Sequence, residues 1–167
     1  MRGVSTWAYN HVFTQPANFG DDCADFASEA LLNGGGMSEI SPGGGSTSDD
    51  HWWYYRKAQA TGRGQVGPFW SHSWSVAHDL AVHLLDWGGA SLPYYNHGVQ
   101  DGDLIFANWS GSSFAGISHV GVVTGIQGNG EPYITQHSPS QRNVTLQYWL
   151  THGGSHPHVW IIRPSQD

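Results

Sequence analysis

Cationic side chains are scarce in this chain. Lysine and arginine together number 6 among 167 residues, and they form no run or cluster. Binding to a phosphate backbone needs several such groups on one face, so the composition excludes nucleic acid as a partner. Cysteine is scarcer still: with Cys23 as the single thiol, no disulfide can form within the chain. Long apolar runs are missing too. No stretch approaches the roughly 18 to 20 consecutive apolar residues that a membrane span needs, and the opening MRGVSTWAYN has no apolar signal-peptide core.

What the chain does have is glycine and aromatic rings. Its 23 glycines, 9 tryptophans and 7 tyrosines, with 38% hydrophobic and 11% charged residues, describe a loop-rich, aromatic-packed globule rather than a disordered tail. The length suits one domain. Residues 1–20, polar and aromatic with Pro16 and Gly20, read as an irregular lead-in, which leaves 21–167 as the domain.

From Asp22 the pattern turns helical. Cys23, Phe26, Ala27, Ala30 and Leu31 share one helix face, Asp21 or Asp22 can act as N-cap, and the glycines after Asn33 end the helix. A Gly/Ser-rich loop (37–50) and an aromatic, aperiodic connection follow. A second helix is then predicted, with Ser73 as N-cap and Trp74, Ala77, Ala81, Leu84 and Leu85 as its stripe. Beyond residue 100 the period shortens. Segments 101–109, 118–126, 131–138, 142–150 and 158–164 read as strands, with GNG at 128–130 as a hairpin turn. Helices followed by an antiparallel meander predict an α+β fold.

Cys23 falls in the first turn of its helix, where the dipole and free backbone N–H groups favour a thiolate. Its own backbone N–H is placed to meet an oxyanion, with Asp22 beside it in the wall of the site. The competing reading is a small buried hydrophobe, and the two aspartates ahead of the thiol oppose its ionisation. Among 11 histidines, His119 is the best-placed partner because it opens the strand HVGVVTG, in which Gly121 leaves room on the same face. Across the hairpin, Gln136 and His137 compete to orient that imidazole, and strand alternation lets only one of them face it. His72, His78, His83 and the HPH at 156–158 lack HExxH, a second cysteine or an i, i+4 pair, so no metal and no other cofactor is expected.

DCADFASEALLNGGG, followed in order by WWYY, SHSW, GDLIF and SHVGVVTG, resembles the bacterial putative amidase domain family of the papain-like superfamily, related to NlpC-type and CHAP hydrolases. The resemblance spans roughly residues 7 to 160. It implies a papain-like fold, with N-terminal helices packed on an antiparallel half-barrel. It also implies amide hydrolysis with Cys23 as nucleophile, His119 as base and His137 as orienting residue, Gln136 being the alternative. Two features depart from the family: its opening helix looks missing or abbreviated here, and its frequent C-T-N-F reads C-A-D-F, with Asp25 at the changed position.

Relatives of this kind act mostly on peptidoglycan stem peptides, so a peptidoglycan or peptide substrate is expected. A short catalytic domain without an export signal fits the warhead of a larger secreted antibacterial protein, delivered to the envelope or periplasm and paired with an immunity protein. The rival expectations are a protein-directed cysteine protease, transglutaminase or deamidase of the same fold, and a noncatalytic module that binds glycans or peptides through its tryptophans.

Overall fold

A computed structural model describes residues 1–40, 51–60 and 66–165. Its first helix, α1 (Arg2–His11), corrects the irregular lead-in expected for residues 1–20. Val4, Ala8 and Val12 recur at a spacing of four, and all three are buried in the main core. That stripe is thin, and the polar residues between its members hide it in the sequence. Gly3 lets α1 approach the end of α2 (Cys23–Asn33), since a Cβ there would overlap the Gly34 carbonyl.

α2 is buried from Cys23 through Leu31. Ile40 bridges Trp52, with N···O distances of 2.8 and 2.9 Å; residues 41–50 of the expected Gly/Ser loop lie outside the described residues. The aromatic connection expected to be aperiodic contains an antiparallel pair of its own, β1 (Tyr54–Ala60) with β2 (Val66–Trp70).

The second predicted helix is two. α3 (His72–Ser75) and α4 (Ala77–Asp86) are separated by Val76, whose backbone is extended at φ −119°, ψ 124°. Ser73 is no cap here, because its hydroxyl bonds Ser71 Oγ (3.0 Å) and the His51 carbonyl. The break turns Trp74 inward, where its Nε1–H donates to Asp25 Oδ1 at 2.6 Å.

Six strands form the main sheet: β3 (Ala90–Leu92), β4 (Leu104–Asn108), β5 (His119–Ile126), β6 (Pro132–Gln136), β7 (Gln141–Thr145) and β8 (His158–Arg163). They lie in the order β3-β8-β4-β5-β6-β7, every pair antiparallel. The expected GNG turn joins β5 to β6, with Gln127 N–H donating to the Glu131 carbonyl at 2.8 Å and Gly130 at φ +86°. Segment 142–150, expected to be all strand, leaves the sheet at Thr145. The Thr145 hydroxyl accepts from Tyr148 N–H (3.1 Å) and so starts α5 (Leu146–His152).

Alternation along β4 separates two cores. Leu104 and Phe106 face the layer of α1, α2 and α4, while Ile105 and Ala107 face Leu146 and Trp149 of α5. The fold is α+β, and the start of α2 meets the start of β5 at the seam between layers. Among the described residues no helix is long and apolar enough to cross a membrane.

Candidate active site

Cys23 is the first residue of α2 and only 3% exposed. Asp22 before it starts the helix through its carbonyl, which accepts from Phe26 N–H at 2.9 Å. Its carboxylate does not cap that helix. Oδ1 instead accepts from the backbone N–H groups of Asn18 (2.8 Å) and Phe19 (3.0 Å), and Oδ2 from His137 Nδ1 (2.7 Å). The Asp22 N–H donates to Ser138 Oγ at 2.9 Å, so this buried residue pins the tip of α2 to the end of β6.

At that seam β5 delivers His119. The Cys23 sulfur, a His119 ring nitrogen and an Asp21 carboxylate oxygen lie within 4.8 Å of one another. His119 is buried, with its ring beside those of Trp109 (5.5 Å) and Trp149 (5.2 Å between centroids). Gly121 makes room for this, because a Cβ there would run into Ile134 and Trp149.

The neighbour of His119 on β6 is Gln136 and not His137. His119 Nε2 lies 2.9 Å from Gln136 Oε1, while Gln136 Nε2 donates to Gln141 Oε1 at 2.9 Å. An amide oxygen can only accept, so Nε2 carries the imidazole proton and Nδ1 is the basic nitrogen. His137, one residue on, points through the opposite face of the sheet. There it stacks on Phe26 (centroids 4.1 Å apart) and bonds Asp22 and the Val12 carbonyl (2.9 Å). The orienting position expected for His137 is therefore occupied by Gln136, and the physical reason is strand parity.

Ionisation also departs from expectation. Burial, then the neighbouring Asp21 charge, push the Cys23 thiol up to about 12, against smaller opposing hydrogen bonds from the backbone of Val120 and Ala24. Burial lowers the His119 imidazole below its ordinary 6.5, partly offset by the bond to Gln136 and the charge of Asp21. Both shifts favour a neutral thiol beside a neutral imidazole over the thiolate expected at a helix tip. Asp25, two residues on, is raised from 3.8 to about 6, chiefly by burial.

A buried sulfur facing a buried imidazole, itself fixed by an amide, is an arrangement for acyl transfer. The sequence pattern of the family described as Putative amidase domain matches residues 5–162. The chain belongs to that family. Its reaction class is amide hydrolysis, and no curated protein and no solved structure matches it.

Beside the dyad, this amidase domain carries a groove of about 290 Å³, lined by Trp109, His119, Gln136, Ser138, Pro139, Gln141, Tyr148, Trp149, His152 and Gly153. Among the described residues its lining is aromatic and amide-rich and includes no Lys, Arg, Asp or Glu. The remaining histidines sit elsewhere: His72 and His78 flank Asp79 (3.8 and 2.9 Å), and His158 packs on Trp160. Among the described residues, Asp21, Cys23 and His119 form the single cluster with donors close enough to share a cation. Asp21 is the residue that sequence reasoning undervalued. The sequence reads it as a possible cap and as a charge opposing the thiolate; its closeness to the imidazole as well is what the structure adds.

Proposed function

We propose that this amidase domain is a papain-like cysteine hydrolase acting on the peptide stems of peptidoglycan, with Cys23 as nucleophile, His119 as base and Gln136 as orienting residue. The observation that carries the reading is the convergence of the Cys23 sulfur with a His119 ring nitrogen, together with the bond between His119 Nε2 and Gln136 Oε1. Helices laid on an antiparallel sheet, with the nucleophile at a helix tip and the imidazole on a strand, support the papain-like assignment.

Because both groups rest neutral, His119 Nδ1 takes the thiol proton as the sulfur attacks the carbonyl carbon. The Cys23 backbone N–H, which has no partner within the helix, meets the oxyanion. His119 returns the proton to the leaving amine as the C–N bond breaks, leaving a thioester. A water, deprotonated by the same nitrogen, then releases the acid and restores the thiol. The neutral, aromatic groove beside His119 suits the amide and sugar parts of a glycopeptide.

Such a substrate lies outside the cytoplasm, so the proposal includes delivery to the cell envelope within a larger protein and a dedicated immunity partner. Purified muropeptides incubated with wild-type and Cys23→Ala protein and read by mass spectrometry provide the test. New amine termini dependent on Cys23 are expected. Intact muropeptides alongside cleaved protein substrates would instead establish a protein-directed protease, and alongside intact protein with side-chain amides converted to acids a deamidase. Export to the periplasm is expected to lyse cells with the wild-type chain and not with Cys23→Ala, and coexpression of the adjacent open reading frame is expected to rescue them.

A further inference from the structure

Asp21 takes no part in the reaction described above, yet its carboxylate lies within 4.8 Å of both reacting groups. It is exposed, and among the described residues no lysine or arginine pairs with it. Among the described residues the groove next to the dyad brings no lysine or arginine either, its titratable lining being His119, Tyr148 and His152.

An uncompensated anion at this point has an electrostatic consequence. When the thiol proton passes to His119, the pair as a whole gains no charge, so Asp21 leaves the site at a net charge of −1 before and during attack. The negative charge that then moves onto the carbonyl oxygen develops beside a like charge, which slows the reaction unless a cation enters with the substrate. A side chain that only capped α2 would not have to face the sulfur.

We infer that Asp21 is a specificity residue that selects substrates carrying an ammonium group next to the scissile amide, seated against its carboxylate. The inference rests on the cysteine-hydrolase reading for its substrate, while the charge selection itself does not require turnover. An amino-acid residue with a free amine beside the cleaved bond has the required chemistry; an acylated amine lacks it.

Two measurements test this. First, Cys23 is labelled with cationic, neutral and anionic methanethiosulfonates of matched size, each forming a mixed disulfide and releasing methanesulfinate. The ratio of cationic to anionic rates is expected to fall about tenfold in Asp21→Asn, as a unit charge near the sulfur requires, and to stay unchanged in Asp86→Asn, an exposed acid on α4. Second, one stem-type peptide amide is offered with its amine free or acetylated. Wild type is expected to prefer the free amine in kcat/KM, mostly through kcat, and Asp21→Asn to lose that preference. A labelling ratio indifferent to Asp21→Asn would overturn the inference. Asp21-dependent labelling without Cys23-dependent cleavage would instead strike the hydrolase reading and leave the charge selection standing.

Discussion

Asp25 shows how one buried carboxylate sets a pH profile. Its carboxylate accepts from Trp74 Nε1 (2.6 Å) and Asn18 Nδ2 (2.8 Å), both neutral donors, within a fully buried setting that also holds Asp22 and Glu29. Burial outweighs the two hydrogen bonds and raises the group to about 6. A folded pKa above the unfolded value favours the protonated form, so this contribution is complete below the ordinary carboxylate range and is lost as pH rises through about 6. Asp25→Asn keeps an oxygen for Trp74 and donates to Asn18 once that amide rotates. Thermal melts should show the variant gaining roughly 2–3 kcal/mol on wild type between about pH 4 and pH 8. Parallel curves across that range would contradict the assignment.

At the scale of elements, the parity of β6 decides between two residues that the sequence left open. Gln136 follows Ile134 onto the α5 face, and His137 turns toward α1 and α2. His137 there links the Asp22 carboxylate to the Val12 carbonyl, so its role is to tie the tip of α2 to the end of α1. Gln136→Ala is therefore expected to lower kcat by on the order of 10²-fold with little change in melting temperature, because it frees the ring of the base. His137→Ala should do the reverse. It removes the partner of Asp22 Oδ2 in the interior and is expected to destabilise the fold by about 3 kcal/mol, while kcat per folded molecule is largely kept. Gly121→Ala belongs to the same comparison: a methyl group driven against Ile134 and Trp149 should cost about 1–3 kcal/mol and weaken activity by displacing the wall of His119. The strands beyond residue 100 were legible because β-branched residues alternate there between turn signals. α1 was not, because its buried stripe is only three residues long, and β1 and β2 were masked by the aromatic residues around Tyr54 and Trp70 that carry no clear period. The dyad could be read from position, at a helix tip and a strand start. Parity at the end of β6 could not, since it depends on where pairing stops and on a register irregularity between Ile134 and Gln136.

For the molecule as a whole, the helical layer supplies Cys23, the proposed nucleophile, the sheet supplies His119, the proposed base, and packing the layers together buries both. A helix tip alone favours a thiolate, and the two aspartates ahead of it oppose one. Assembly adds desolvation, which wins: together with the Asp21 charge it holds the thiol near 12, and against that charge it holds the imidazole below 6.5. A thiolate–imidazolium pair and a neutral pair predict different pH–rate profiles. The ion pair gives a bell, with activity lost as the imidazolium deprotonates. In the neutral pair the imidazole must be free base, so kcat/KM is expected to rise once, with its midpoint below 6.5, and then stay level to about pH 9. Alkylation of Cys23 by iodoacetamide should accordingly be slow at about pH 6 and climb with hydroxide well past the range of a free cysteine. Fast labelling at low pH, together with a falling alkaline limb near neutrality, would show that the interface between the layers stabilises the charged pair after all.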